Sequence, residues 1–175
     1  MKFVRAMNIF CPARLKAVTF GAVALFALVM QHAPVFAQTP AFEKKNFHYN
    51  EWTKGRFAEA VTVTGPGKWV FLAGVGSEAE KDGSILHQGD FLAQCRYAYE
   101  KIRKLLAQQG ATMADVVKLV SYVTDIRSRE DLNKCRAEAF AGGPLPVHTF
   151  LAISQLARPG MLVEMDVIAV TSKNP

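Results

Sequence analysis

The segment that most constrains the fold is the C-terminal run of residues 146–170, PVHTFLAISQLARPGMLVEMDVIAV. Alternating apolar and polar residues predict two β-strands in it, joined by an Arg158-Pro159-Gly160 turn. Successive side chains of a strand point to opposite faces. In the second strand the odd positions from 163 to 169 are all apolar, so this face is predicted to pack against helices.

The opposite face of these two strands is the best candidate for a functional site. The alternation places His148 and Phe150 of the first strand with Glu164 and Asp166 of the second, away from the helical layer. Burying a carboxylate among apolar side chains is costly unless it has a partner. We therefore expect this face to meet water or to line a pocket between subunits. A histidine near a glutamate is a possible acid–base pair.

Residues 1–37 are typical of a cleavable secretory signal peptide. Four basic residues precede an uncharged run over residues 18–30, and Val35-Phe36-Ala37 supplies small residues at the −3 and −1 positions of a cleavage site. The prediction is therefore a periplasmic or secreted protein. An uncleaved membrane anchor is the alternative, although the apolar run is short for a bilayer span.

The net charge is largely a property of this leader. The chain has 21 Lys and Arg against 15 Asp and Glu, and the leader contains four of the basic residues and no acidic ones. The remainder, with 17 basic and 15 acidic residues, lacks the concentrated positive charge of a nucleic-acid-binding domain. No nucleic-acid partner is expected, and no membrane contact after cleavage.

Two cysteines, Cys95 and Cys135, remain after the leader. Both fall among apolar residues of predicted helices. A disulfide is possible in an exported protein, but the remaining chain is long enough to build a core without one. Buried free thiols are therefore the preferred interpretation. The histidines have no ligand-like spacing with these cysteines, so no metal site is predicted.

The remaining segments predict one compact α+β domain over residues 38–175, with helices on one face of a sheet. Its first part, residues 38–54, is interpreted as an extended arm. Leu92, Cys95, Tyr99, Ile102 and Leu106 lie on one face of a helix that begins at Asp90 and ends at Gly110. The predicted order is β-β-α-β-α-β-β. The first three strands are expected over residues 60–64, 68–75 and 116–124, and the second of them is expected to be a central strand covered on both faces. A glycine-rich loop is expected over residues 74–89, a second helix runs from a Ser128/Asp131 capping box to about Phe140, and the two C-terminal strands follow it.

Three segments together resemble the RidA/YjgF family of small trimeric proteins. Pro146-Val147-His148-Thr149 with Val163-Glu164-Met165 resembles its C-terminal signature, residues 57–61 (FAEAV) resemble its entry motif, and residues 70–74 (VFLAG) resemble its strand ending in Ser-Gly. The resemblance covers essentially the whole domain. It implies a chorismate-mutase-like fold, a homotrimer with a barrel-like core, small-molecule clefts between subunits, imine or enamine deamination, and no metal or organic cofactor.

The resemblance also assigns candidate site residues. Glu164 matches the glutamate that positions the hydrolytic water, and Gly74 matches the strand-end glycine. Four positions depart from the family pattern. The candidate catalytic residues are Glu164 and His148, and His148 stands where the family has its carboxylate-binding arginine. The candidate substrate-binding residues are Gly74, Thr149, Phe57, Ala73 and Phe150. Of these, Phe57 replaces the family's tyrosine, Ala73 replaces its serine, and Phe150 occupies a position where the family often has cysteine.

The histidine substitution leaves the function open. Arginine grips a carboxylate through two charge-assisted hydrogen bonds, whereas histidine is mostly neutral at pH 7. Three hypotheses remain. The first is deamination with His148 as ligand anchor or acid–base group, and the second is non-catalytic binding of a small molecule. The third is that His148 and Glu164 have a purely structural role at a subunit interface of the trimer. A ribonuclease is disfavoured by the balanced charge. Replacement guanidinium groups could come from Arg56, Arg96 or Arg158 of a neighbouring subunit.

Overall fold

The computed structural model describes residues 40–172. The predicted signal peptide lies outside this range. Within it, no helix is long and apolar enough to cross a membrane. The strands and helices are, in chain order, β1 (Glu43–Phe47), β2 (Ala60–Thr64), β3 (Lys68–Phe71), α1 (Phe91–Gln108), β4 (Val116–Val123), α2 (Arg129–Phe140), β5 (Val147–Ala152) and β6 (Val163–Thr171).

The main sheet has four strands in the order β3-β6-β4-β5, and β1 pairs with β2 in a separate two-stranded sheet. Strands β4 and β5 are parallel, and the other neighbours are antiparallel. The last two strands, which were expected to form a pair joined by the turn at residues 158–160, are therefore not neighbours, because β4 lies between them. The connecting segment, residues 153–162, passes the end of β4, where Ile153 N–H donates to the Val123 carbonyl at 2.9 Å.

Two N-terminal predictions also need correction. The segment interpreted as an extended arm contains β1, which pairs antiparallel with β2 in a register that places Lys45 opposite Thr62. Its alternation is polar on both faces, so no apolar period marks it as a strand. Strand β3 is an edge strand of the main sheet rather than a central one, and its Trp69 and Phe71 side chains are 54% and 69% exposed.

Both helices pack on one face of the main sheet, as predicted. The Asp90 carboxylate accepts a hydrogen bond from Ala93 N–H at 2.9 Å and caps α1, and Gly110, at φ 71°, follows its last turn. The predicted capping box at Ser128 does not form. A short 3₁₀ turn precedes α2 instead, and the Asp125 carboxylate caps it by accepting from Arg127 N–H.

The core lies between the helices and the sheet. The odd-numbered residues of β6 from 163 to 169 are buried against it, as their alternation predicts. Cys95 of α1 and Cys135 of α2 are both buried and form a disulfide, so the preference for free thiols is wrong. The apolar stripes of the two helices face each other, which brings the Cα atoms of the two cysteines to 6.3 Å, within disulfide range.

Candidate functional site

His148 lies on the helical face of the sheet. In the parallel β4–β5 ladder His148 is opposite Leu119, and Leu119 is opposite Val167 of β6. Leu119 and Val167 are buried beneath the helices. Residues paired across neighbouring strands project to the same face, so His148 projects toward α2. Phe150 is opposite Ser121, which in turn is opposite the buried Met165, so Phe150 follows the same parity and packs against the core.

Glu164 lies on the other face, which we call the open face. It is opposite Tyr122, and Asp166 is opposite Val120. The predicted shared face of His148 and Glu164 is therefore wrong. The alternation within each strand was predicted correctly. Which residues of β5 share a face with which residues of β6 depends, however, on the register in which each of the two strands pairs with β4.

The His148 ring makes two side-chain hydrogen bonds. Arg136 of α2 donates to Nδ1, and Nε2 lies 3.1 Å from the Ser121 hydroxyl oxygen. A guanidinium can only donate, so Nδ1 is the acceptor and the proton resides on Nε2, which donates to Ser121. Burial, with a smaller contribution from the Arg136 charge, lowers the pKa of His148 to about 3. The imidazole is therefore neutral at physiological pH.

Arg136 is the functional candidate that the sequence analysis missed. Arg136 is buried, with only 7% of its surface exposed. Among residues 40–172, no carboxylate oxygen lies within ion-pairing distance of its guanidinium. A detectable signal existed in the sequence. Arg136 interrupts the apolar stripe of α2, which is formed by residues at helical spacing, namely Leu132, Cys135, Ala139 and Phe140.

A cavity of about 420 Å³ opens beside the Arg136–His148 pair. We call it the α2–β5 cavity. Its walls combine aromatic side chains with three arginines and a single carboxylate, a composition that favours an anion with an apolar part. The lining residues are Trp52, Gly55, Arg56, Phe57, Arg129, Glu130, Asn133, Arg136, Ala137, Leu145, His148 and Phe150.

The loop before β2 supplies one wall of this cavity. Glu59 organises the loop by accepting hydrogen bonds from the backbone N–H and side-chain amide of Asn50, at 2.7 and 2.6 Å, and from the Thr53 hydroxyl at 3.0 Å. Trp52 and Phe57 then meet edge to face, with ring centroids 5.5 Å apart. The predicted substrate-binding residue Phe57 therefore lies in the same cavity as His148 and Phe150.

Glu164 and Gly74 form a second arrangement. A Cβ atom on Gly74 would lie 2.0 Å from Glu164 Oε1, so the carboxylate fills the space that a side chain would occupy. Burial raises the pKa of Glu164, and the nearby charges of Glu78 and Asp166 raise it further. Such a carboxylate binds a proton more readily than an ordinary one, which suits a group that accepts a proton from water.

The other predicted residues are distributed differently. Thr149 is opposite Val120, on the open face with Glu164, and Ala73 is exposed near the end of β3. Of the three candidate replacement arginines, Arg56 lines the α2–β5 cavity, whereas Arg96 pairs with Glu138 and Arg158 donates to the Gly83 carbonyl. Within the described range, no cluster of three or more His, Cys, Asp or Glu residues could hold a metal ion.

Comparison with known proteins identifies the family. The family model described as Endoribonuclease L-PSP matches residues 48–171. A RutC family protein of Pyrococcus abyssi is 30% identical over 115 residues, which are 66% of this chain and 86% of that protein.

Solved structures agree with this match. A Rid-family protein of unknown function from Yersinia pestis has the same fold, with a TM-score of 0.64 at 24% identity over 72% of this chain and 97% of that one. A YjgF/YER057c/UK114 family member from Mycobacterium tuberculosis is 31% identical, with a TM-score of 0.51 over 73% of this chain and 98% of that one. The chain therefore belongs to the RidA/YjgF/UK114 family, and its α+β fold is the fold of that family.

Proposed function

We propose that the protein hydrolyses small 2-imino acids to 2-oxo acids and ammonia, with Glu164 positioning the water. The observation that carries the proposal is the contact between the Glu164 carboxylate and Gly74. It brings together the two residues that match the glutamate and strand-end glycine of deaminating family members. The raised pKa of Glu164 gives its carboxylate more basic character than an exposed glutamate has.

The reaction requires one proton acceptor and no redox partner. The ionised Glu164 carboxylate accepts a proton from water as the water oxygen bonds to the imine carbon. Glu164 passes this proton to the imine nitrogen, giving a tetrahedral aminoalcohol and regenerating the carboxylate. The carboxylate then accepts the hydroxyl proton and returns it to the amino nitrogen as the C–N bond breaks, so that ammonia leaves and a carbonyl forms. The products contain the atoms of the imine and of one water molecule.

The site is proposed to form between subunits of a homotrimer. Within one chain the sheet separates Glu164 from the α2–β5 cavity, so a second copy is needed to bring a Glu164 carboxylate to the cavity mouth. The open face supports self-association because it exposes large apolar side chains at its edges, namely Trp69, Phe71 and Leu151.

Export is proposed on the basis of the leader over residues 1–37. The disulfide between Cys95 and Cys135 supports it, since disulfides persist in oxidising compartments such as the periplasm.

The direct test generates 2-imino acids with an amino-acid oxidase and measures how fast they disappear before semicarbazide traps them. The mature protein should accelerate imine loss above the buffer rate, and Glu164→Gln should reduce the acceleration by about 100-fold or more. Glu100→Gln, an exposed glutamate of α1 that pairs with Lys104, is the matched control and should retain most of the rate. A wild-type rate equal to that of buffer would refute the proposal.

Non-catalytic ligand binding is the second candidate. It is favoured by the position of Glu164 on the opposite face from the cavity of its own chain. In that case 2-oxo acids would raise the melting temperature of the wild type and of Glu164→Gln equally, with no imine hydrolysis by either protein.

A further inference from the structure

The charge of Arg136 is the starting point for a more specific inference. Burying a cation without a counterion costs free energy, and buried arginines are normally paired with a carboxylate. Arg136 is buried, and among residues 40–172 it has no such partner. An anion arriving from the α2–β5 cavity, which Arg136 lines, would supply the missing negative charge.

The hydrogen bonds of Arg136 leave donors available for that anion. A guanidinium has five N–H groups in a planar fork. One is directed to His148 Nδ1, and another lies 3.5 Å from the Asn133 side-chain oxygen. Both partners are uncharged acceptors. They orient the fork without neutralising it, and the remaining N–H groups can bind two carboxylate oxygens.

The rest of the cavity matches a carboxylate with an apolar substituent. Arg56 and Arg129 add two exposed positive charges near the mouth, against the single negative charge of Glu130. Phe57 and Phe150 supply aromatic wall. Positive charge at the mouth attracts the anion, and the apolar wall takes its side chain.

We propose that Arg136 of α2 is the carboxylate-binding residue of this protein, and that His148 is a positioning residue that holds the Arg136 guanidinium toward the α2–β5 cavity. The expected ligands are 2-oxo and 2-imino acids with an apolar side chain. A guanidinium from a helix thus takes the place of one from β5. The inference rests on the proposed function for the identity of the ligand, but it concerns binding and is tested separately from hydrolysis.

The binding test uses 4-methyl-2-oxopentanoate and its uncharged methyl ester, titrated into the mature protein by calorimetry. The acid should bind, and the ester should bind at least tenfold more weakly. Arg136→Met should weaken acid binding by about 10- to 100-fold, the effect of losing a charge-assisted contact. Arg136→Lys, which keeps the charge but not the fork, should lie between the two. Arg127→Met, which removes an exposed arginine that pairs with Asp125 and does not line the cavity, is the matched control and should change affinity less than about threefold.

The role of His148 is tested by pH and by replacement. If Arg136 is the anchor and His148 stays neutral, affinity for the acid should be constant between pH 5.5 and 8. If a cationic histidine were the anchor, affinity would fall as the pH rises through about 6.5. His148→Asn retains a side-chain acceptor for Arg136 and should preserve affinity better than His148→Ala.

Three outcomes would overturn the inference: wild-type affinity in Arg136→Met, equal binding of acid and ester, or affinity that declines from pH 5.5 to 8. Circular dichroism establishes that each variant is folded, and the wild-type pH profile needs no variant. Imine hydrolysis with full activity in Arg136→Met would refute this inference and leave the proposed function intact. Arg136-dependent binding of the acid without imine hydrolysis would support this inference and refute the proposed function.

Discussion

Arg136 donates a hydrogen bond to Nδ1 of His148, and this contact sets the charge of both side chains in the α2–β5 cavity. The imidazole accepts, so it must be neutral, and the guanidinium keeps the positive charge. From the sequence resemblance alone, His148 is expected to replace the family's arginine and so to lose a carboxylate contact. Beside Arg136 it has a different role, because the positive charge comes from α2.

The low pKa of His148 makes stability depend on pH. The folded imidazole titrates at about 3, below its ordinary value of 6.5. As the pH falls from 6.5 toward 3, the unfolded chain gains a proton that the folded chain does not, so acid favours unfolding. We expect this group to reduce the free energy of unfolding by up to about 2 kcal/mol at pH 4.5 relative to pH 7.

Urea denaturation of wild type and His148→Gln at each pH measures this effect. Glutamine keeps an acceptor for Arg136 and does not titrate, so the variant should lose less stability on acidification. Parallel stability curves for the two proteins between pH 7 and 4.5 would contradict the assigned charge state.

Glu164 should show the opposite dependence. Its folded pKa is raised, first by burial and then by Glu78 and Asp166, so ionising it in the folded protein is unfavourable. Its contribution to stability is fully present below the ordinary pKa of about 4.5 and is lost as the pH rises through the folded pKa. Glu164→Gln should therefore be stabilised relative to wild type at pH 7.5 but not at pH 4, as measured by thermal denaturation. In a protein that also carries Asp166→Asn, the stabilising effect of Glu164→Gln at pH 7.5 should be smaller, because one of the negative charges beside Glu164 has already been removed.

Gly74→Ala should move the Glu164 carboxylate without unfolding the protein. The new Cβ would meet the Glu164 side-chain oxygen at 2.0 Å, and this atom ends a flexible side chain that can rotate away. We expect kcat/KM for imine hydrolysis to fall at least about tenfold, with a small change in melting temperature and unchanged carboxylate binding at Arg136. Ala107→Ser, at an exposed position of α1 on the other side of the sheet from Glu164, should leave kcat/KM nearly unchanged. An active Gly74→Ala protein would argue against the role given to Glu164.

Removing the Cys95–Cys135 disulfide should destabilise the protein. The bridge closes a loop of 40 residues between α1 and α2, for which about 2–4 kcal/mol of stabilisation is typical. A Cys95→Ala/Cys135→Ala variant should lose stability of this order in urea denaturation. Reductant should lower the wild-type midpoint and have no effect on the double variant. A wild-type midpoint insensitive to reductant under denaturing conditions would contradict the bridge.

The exposed apolar side chains of β3 should take part in self-association. Trp69→Glu and Phe71→Glu place a charge on the open face, where burial against another copy would become unfavourable. Sedimentation should then show a trimer for the wild type and a monomer for either variant. Tyr49→Glu, 80% exposed in the loop before β2, is the control and should remain trimeric.

Local patterns in the sequence were sufficient for much of the fold. The bounds of β2, the start and end of α1 and the buried face of β6 follow from turn residues, caps and side-chain periodicity over a few neighbouring positions. The β1 strand was missed because it has no apolar face, and β3 was taken as central because its exposed aromatic residues look like core residues. Such errors concern the environment of a segment, which its own residues do not specify.

By itself, the sequence determined the helices, the order of most strands, the family and the identity of Glu164 and Gly74 as candidates. Only the tertiary structure decided which face carries His148 and which side chain meets it. The parallel register between β4 and β5 relates residues about 29 positions apart and places β4 between the last two strands. The packing of α2 then brings Arg136 to His148 and Cys135 to Cys95. These contacts depend on long-range packing, and no periodicity within a single strand or helix contains them.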